Sequence, residues 1–151
     1  MKLRWSAAAL AFALAACGSD EPTAPQTFEQ VMCIRGTIAV GGTVNGNLAA
    51  SDCDIGDSYM ESYRLNVAAD TTIDISMTSG VFDTYLFLLR VRADNVDSLD
   101  LVGSDDDSGG GPNGTNALMA GVALLAADDY LVVANGFDKS DVGAYVLTIV
   151  P

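Results

Sequence analysis

No histidine occurs in the 151 residues. That absence removes histidine-based nucleophilic triads, imidazole general bases and His-ligated zinc together. Basic residues are scarce as well: seven Lys and Arg face 20 Asp and Glu, a formal net charge of −13. A surface of this sign repels a phosphate backbone, so no nucleic acid partner is expected. Anionic lipid surfaces are repelled in the same way. The acidity admits divalent cations, basic partners or plain solubility. The longest apolar run after the N-terminal segment, residues 118–127, is stopped by Asp128 and Asp129. It is about half the twenty residues that a membrane-spanning helix needs. No serine elbow, phosphate-cradling glycine loop or dinucleotide fingerprint is present. Gly109 to Gly111 follow aspartates, which would repel a phosphate. No pair among the many carboxylates is singled out for glycoside hydrolysis. The expectation is a protein without catalytic activity.

Three cysteines are present, and they divide by position. Lys2 and Arg4 open the chain, an apolar run covers residues 7–16, and small residues precede Cys17. Basic start, short apolar core and small residues make a secretory signal. Leu14-Ala15-Ala16-Cys17 resembles the lipobox of bacterial lipoproteins. The resemblance implies cleavage before Cys17, acylation of its thiol and of its new amine, and stable anchoring by several acyl chains, palmitate among them. Gly18 and Ser19, with no aspartate after the cysteine, resemble the pattern of outer-membrane delivery. Residues 1–16 are therefore expected to be a lipoprotein signal peptide. Residues 17–32, polar and carrying Pro22 and Pro25, read as a lipidated flexible tether. Residues 33–151 are expected to form one domain, held at the bacterial cell envelope and, by the same resemblance, at its outer membrane. Removing Lys2 and Arg4 with the signal leaves five basic residues against 20 acids, a charge of about −15. Cys33 and Cys53 are an even pair in an exported chain and read as a disulfide. A two-thiolate metal site would lack further soft ligands.

From Cys33 onward the chain is a series of short apolar runs broken by Gly, Asn, Asp and Ser, the pattern of an all-β sandwich or barrel. Strands are expected at 37–40, 43–48, 58–67, 71–78, 83–91, 99–103, 129–134 and 144–150. In 71–78, Ile73, Ile75 and Met77 alternate with Asp74, Ser76 and Thr78, so one face is buried and one is wet. Residues 83–91 have no polar face (Tyr85 to Leu89 are all apolar or aromatic), which predicts a strand covered on both sides or meeting a partner. Ile73, Ile75, Leu86, Leu88, Val132, Tyr145 and Leu147 are the expected core. Residues 117–127 fit a short helix or a strand with a turn: Ala and Leu favour helix, while Gly121 and Val122 weaken it.

Several motifs occur in order. Residues 44–48 (VNGNL) resemble an opening G-x-L strand. Residues 61–70 (ESYRLNVAAD) resemble D-x-Y-x-F-x-V-x-A-G, with Glu61 in place of Asp. Residues 82–88 (FDTYLFL) resemble D-T-x-L-x-L, and 104–110 (SDDDSGG) an N-D-D glycine-rich loop. Residues 126–133 (AADDYLVV) and 143–149 (GAYVLTI) resemble A-G-T-Y-x-V-x-V and G-x-Y-x-L-x-V. Together they resemble the bacterial pre-peptidase C-terminal domain over residues 37–150. The resemblance implies a jelly-roll-like antiparallel β-sandwich of about eight strands, with 117–127 a strand. It also implies a non-catalytic accessory or binding module, here standing alone behind a lipid anchor.

The acidic loop 104–114 is the best candidate for chemistry. Hard cations take six to eight oxygens, and clustered carboxylates on flexible glycines can supply them. Asp105 and Asp107 are the expected calcium ligands, with Asp106 or Asp83 helping. The loop departs from the EF-hand pattern, and the alternative is a solvated turn whose Asp and Asn side chains bond their own backbone. Asp83-Thr84 has Tyr85 where an aspartic peptidase needs glycine and has no second copy, so Asp83 is expected to satisfy backbone donors at a strand start. Expected partners are the membrane, through the lipid, and an envelope protein or a glycan. The glycan reading, joined to calcium-dependent adhesion, is the runner-up. It is lowered because the only tryptophan, Trp5, lies in the signal and the tyrosines fall mostly on expected core positions.

Overall fold

The computed structural model describes residues 26–92 and 95–151. Cys17, the signal segment 1–16 and the tether up to residue 25 lie outside the described residues. One short helix, α1 (Phe28–Val31), precedes ten strands: β1 (Ile34–Ala39), β2 (Thr43–Leu48), β3 (Cys53–Asp54), β4 (Tyr59–Asn66), β5 (Thr71–Thr78), β6 (Thr84–Arg92), β7 (Asn95–Asp105), β8 (Ala117–Leu124), β9 (Asp129–Gly136) and β10 (Gly143–Val150). One sheet runs β1-β4-β9-β6-β7 with β3 also on β4; the other runs β2-β10-β5-β8. The two sheets form a sandwich, as the alternation predicts.

Two details differ from the sequence expectation, and one segment left open on its residues is decided. Among the described residues the count is ten strands, not about eight: two-residue β3 carries no periodicity to read, and β8 stands beyond the eight strands read from the residues alone. Segment 117–127 is a strand over Ala117–Leu124, as the family resemblance implies. Gly121, at φ 67°, sits where the β5–β8 register shifts between Ile73 and Ile75, so the glycine that weakens a helix supplies a bulge. The sandwich is also not purely antiparallel: β1 pairs with β4 in parallel. The chain leaves β1 for the opposite sheet, builds β2 there, and returns, and such a crossover brings two strands side by side in the same direction.

Alternation decides the core. Ile73, Ile75, Leu86, Leu88, Val132, Tyr145 and Leu147 are all buried, together with Met77, Leu48 and Ile149. They pack between the sheets as one cluster. Thr84 is fully buried among them. Its hydroxyl shares its proton between the carbonyls of Met77 and Thr115 and accepts the N–H of Ala117. One side chain thus stitches β6 to the facing sheet. Gly46 has to be glycine because a Cβ there would overlap the ring of Tyr145.

A second apolar cluster lies on the outer face of the five-strand path: Met32, Met60, Val91, Leu131 and Val133, with Phe28, Phe87 and Leu89 against it. This is why β6 lacks a polar face. Part of the cover comes from α1, which is held by a capping box between Thr27 and Gln30. Residues 27–32, inside the stretch expected to be tether, are therefore packed on the sheet, because Phe28 and Met32 find apolar surface there.

A candidate cation centre and its surroundings

Asp83 lies just before β6, and Asp106 just after β7. Leu86 pairs with Asp105 in the β6–β7 ladder, so the two strand ends meet and bring carboxylates that are 23 positions apart in sequence to one place. Asp83, Asp106 and Asp107 each place a carboxylate oxygen within 4.8 Å of the others. Oδ1 of Asp83 and Oδ1 of Asp106 are buried and have no hydrogen-bond partner. Buried carboxylate oxygens are ordinarily satisfied, and each one left unpaired has a free-energy cost of about 1–3 kcal/mol.

The electrostatics agree with the geometry. Burial raises the Asp83 carboxyl above its ordinary value, and the charges of Asp106, Asp107, Asp141 and Asp138 raise it further. Burial also raises Asp106, with Asp107 and Asp105 adding to the effect. A carboxyl whose folded pKa lies above its unfolded value destabilises the fold once it is ionised. The stability is present below the unfolded value and is lost as pH rises through the raised folded value.

Asp105 belongs elsewhere. Its Oδ2 accepts the N–H groups of Ser108 and Leu118, so it closes the loop and stays outside the cluster of Asp83, Asp106 and Asp107. Asp83 also differs from expectation. It does not satisfy backbone donors through Oδ1; Asp141 does that work, its Oδ1 accepting the N–H of Asp83 and its Oδ2 that of Asp138. Asp138 and Asp141 were missed by the sequence reading. Their signal is the pair of acids three apart at 138–141, whose side chains bond backbone N–H groups in a tight turn.

The glycines of the loop have a structural reason. Gly110 and Gly111 have φ of 66° and 91°, a region where side chains are strained. A bridge between Gly110 and Asn116 closes the tip, and Asn116 Oδ1 accepts the N–H of Ser79 from the facing sheet. The loop is thereby pinned, which holds Asp106 and Asp107 toward Asp83. A hollow of about 240 Å³ opens beside Asp83, lined also by Asn113, Thr115 and Asp141. Three carboxylates are an all-oxygen donor set suited to a hard divalent cation; soft-metal ligands are not among them.

Cys33 and Cys53 form a disulfide with Cα atoms 5.9 Å apart. It lies along one edge of β4, where β1 and β3 pair in succession. Next to it is a partly buried polar network. Glu61 Oε1 accepts from Arg35 Nε at 3.1 Å, and Oε2 accepts from the hydroxyls of Tyr145 at 2.6 Å and Tyr63 at 3.3 Å. Arg35 also pairs with Asp52. Burial, then the hydrogen bond to Glu61, pushes the Tyr145 hydroxyl far above its ordinary pKa, so it stays a donor at any working pH.

No family model matches the sequence, and no curated protein matches it. The fold is similar to that of a pre-peptidase C-terminal domain. The solved example is from a collagenase of Bacillus anthracis, 20% identical, with a TM-score of 0.49 over 76% of this chain and 93% of that one. A second similar structure is PliG of Aeromonas hydrophila, a periplasmic lysozyme inhibitor of g-type lysozyme, 13% identical. Its TM-score is 0.44 over 77% of this chain and 98% of that one.

Proposed function

We propose that the protein is a non-catalytic binding module of the bacterial cell envelope, anchored by lipid on Cys17, whose working end is a calcium centre formed by Asp83, Asp106 and Asp107. The observation that carries the calcium reading is the pair of buried, unpartnered oxygens on Asp83 and Asp106. Desolvated like charges are unfavourable by themselves, and a divalent cation between them removes both costs. The role of the ion is to lock the β6 start and the 104–114 loop together, so that the surface around them presents one shape to a partner. Absence of histidine from the sequence, and of a serine elbow or other nucleophile motif in it, supports a binding role over a catalytic one.

The test is thermal unfolding with calcium and with EDTA. Calcium at a hundred times its dissociation constant is expected to add about 2.7 kcal/mol of stability. Asp106→Asn is expected to abolish that gain and to raise the stability of the cation-free protein at neutral pH, because it removes a raised carboxyl. The stability gap between cation-free Asp106→Asn and cation-free wild type should close as pH falls toward the ordinary carboxyl value of 3.8. Calcium and protons compete for the same oxygens, so the calcium gain should shrink over that range. An unchanged melting temperature, with no heat on calcium titration, overturns the calcium centre.

Anchoring has a separate test. Full-length protein made in a bacterial host is expected to enter the detergent phase on phase partitioning, and Cys17→Ala to remain in the aqueous phase. Wild type in the aqueous phase overturns the anchor without touching the calcium reading.

A further inference from the structure

On the outer face of the same sheet, the side chains of Tyr85 and Phe87 leave β6 away from the core. Their ring centroids are 4.7 Å apart and their planes tilted by 43°. Phe137, just past β9, sits 6.5 Å from Tyr85 at 44° and is 56% exposed. These three rings and Ile55 wall a cavity of about 210 Å³, with Asn135 and Ser58 also lining it and Asp57 completing the set. Ser58 and Asn135 hydrogen-bond each other at 3.0 Å, so the polar part of the lining is largely self-satisfied. The lining contains no basic residue.

The chemistry of the ligand follows from rings and charge. Aromatic faces present negative potential, and a nearby carboxylate adds to it, so the combination selects a cation over an anion or a plain aliphatic group. The chain already uses this combination twice internally. Lys139 lies 5.8 Å from the ring of Tyr59 while bonded to Asp54, and Arg64 lies 5.9 Å from the ring of Phe28 while bonded to Glu29. The Tyr85–Phe137 cavity repeats ring and acid, with its cation still to come from outside. Asp57 lies within electrostatic reach of Lys139, but that ammonium is engaged by Asp54. A net charge of −13 steers basic partners toward the surface and repels acidic ones.

We propose that this cavity receives an arginine side chain from a basic protein partner. Arginine is favoured over lysine because a planar guanidinium stacks on a tilted ring while still reaching a carboxylate at the rim. The site is independent of the calcium centre.

The experiment uses the full lipidated chain in detergent micelles with EDTA present, so that the cation centre does not contribute. The probe is the capped tripeptide acetyl-Gly-Arg-Gly-amide, compared with its citrulline analogue, which has the same shape without charge, and with cellobiose. NMR shifts at Tyr85, Phe137 and Asn135 are the readout. Saturable shifts with the arginine peptide are expected, with at least tenfold weaker binding of the citrulline peptide. Phe137→Ala should weaken the arginine peptide at least threefold with an unchanged melting temperature, since the ring is exposed, and Asp57→Asn should weaken it less. Equal response to the arginine and citrulline peptides, arginine binding undiminished by Phe137→Ala, or saturable shifts from cellobiose in place of the peptide overturns the proposal.

Discussion

Glu61→Ala is expected to destabilise the domain by about 2–4 kcal/mol, the largest effect of any polar substitution considered. Glu61 is the hub of three hydrogen bonds, two of them from tyrosine hydroxyls in the interior. Without it, the hydroxyls of Tyr63 and Tyr145, 2.8 Å apart, retain only each other, and one of the two protons has no acceptor. The Arg35 side of the network contributes less. Its side chain is 44% exposed, and water replaces much of that pairing. Glu61→Gln is the control, because the amide oxygen still accepts from Tyr145 and the cost falls to about 1 kcal/mol. Urea unfolding of both variants distinguishes a hydrogen-bonded hub from a charge requirement. Equal losses for Ala and Gln would point to charge.

Opening the disulfide comes next in size. Cys33→Ser with Cys53→Ser is expected to lose about 3 kcal/mol, since a cross-link spanning 20 positions restricts the unfolded chain by that amount in the chain-entropy model. For a domain of this length the melting temperature should drop by about 10 °C. The urea m-value should rise, because an unlinked chain exposes more surface when it unfolds. A fall in stability with no change in m would place the effect in the native edge of β4, where the disulfide holds β1 and β3 in line.

Much of this fold was legible residue by residue. The alternation in 71–78 placed β5 at its observed ends, because a strand with one wet and one buried face writes its period into the chain. The same rule singled out Ile75, Leu86 and Leu147 as core. The all-apolar run at 85–89 left cover on both faces and contact with a partner open; the outer cluster covers Phe87 and Leu89, and that α1 would supply part of the cover was not legible. The parallel β1–β4 pair was not legible, since strand direction depends on a crossover that leaves no local mark. Segment 117–127 was ambiguous because its glycine both weakens a helix and permits a bulge, and pairing with β5 decided between them.

The candidate centre was half legible. A run of aspartates followed by glycines marks a loop with carboxylates to offer, and Asp83, Asp106 and Asp107 do converge. Asp105 looks the same as its neighbours in sequence, yet its position at the end of β7 turns it onto the N–H groups of Ser108 and Leu118. Asp138 and Asp141 carry no signal linking them to Asp83 until β9 and β6 pair. Likewise Tyr85 and Phe137 are simply aromatic residues in apolar stretches until the sheet places them side by side on its outer face.

Composition and short-range periodicity alone determined an acidic, histidine-free chain of β-strands with a pairable Cys33 and Cys53, because charge and pleat are local properties of consecutive residues. Tertiary structure alone decided which carboxylates lose their water and which rings meet. Desolvation and like-charge crowding arise only when segments distant in sequence are pressed together.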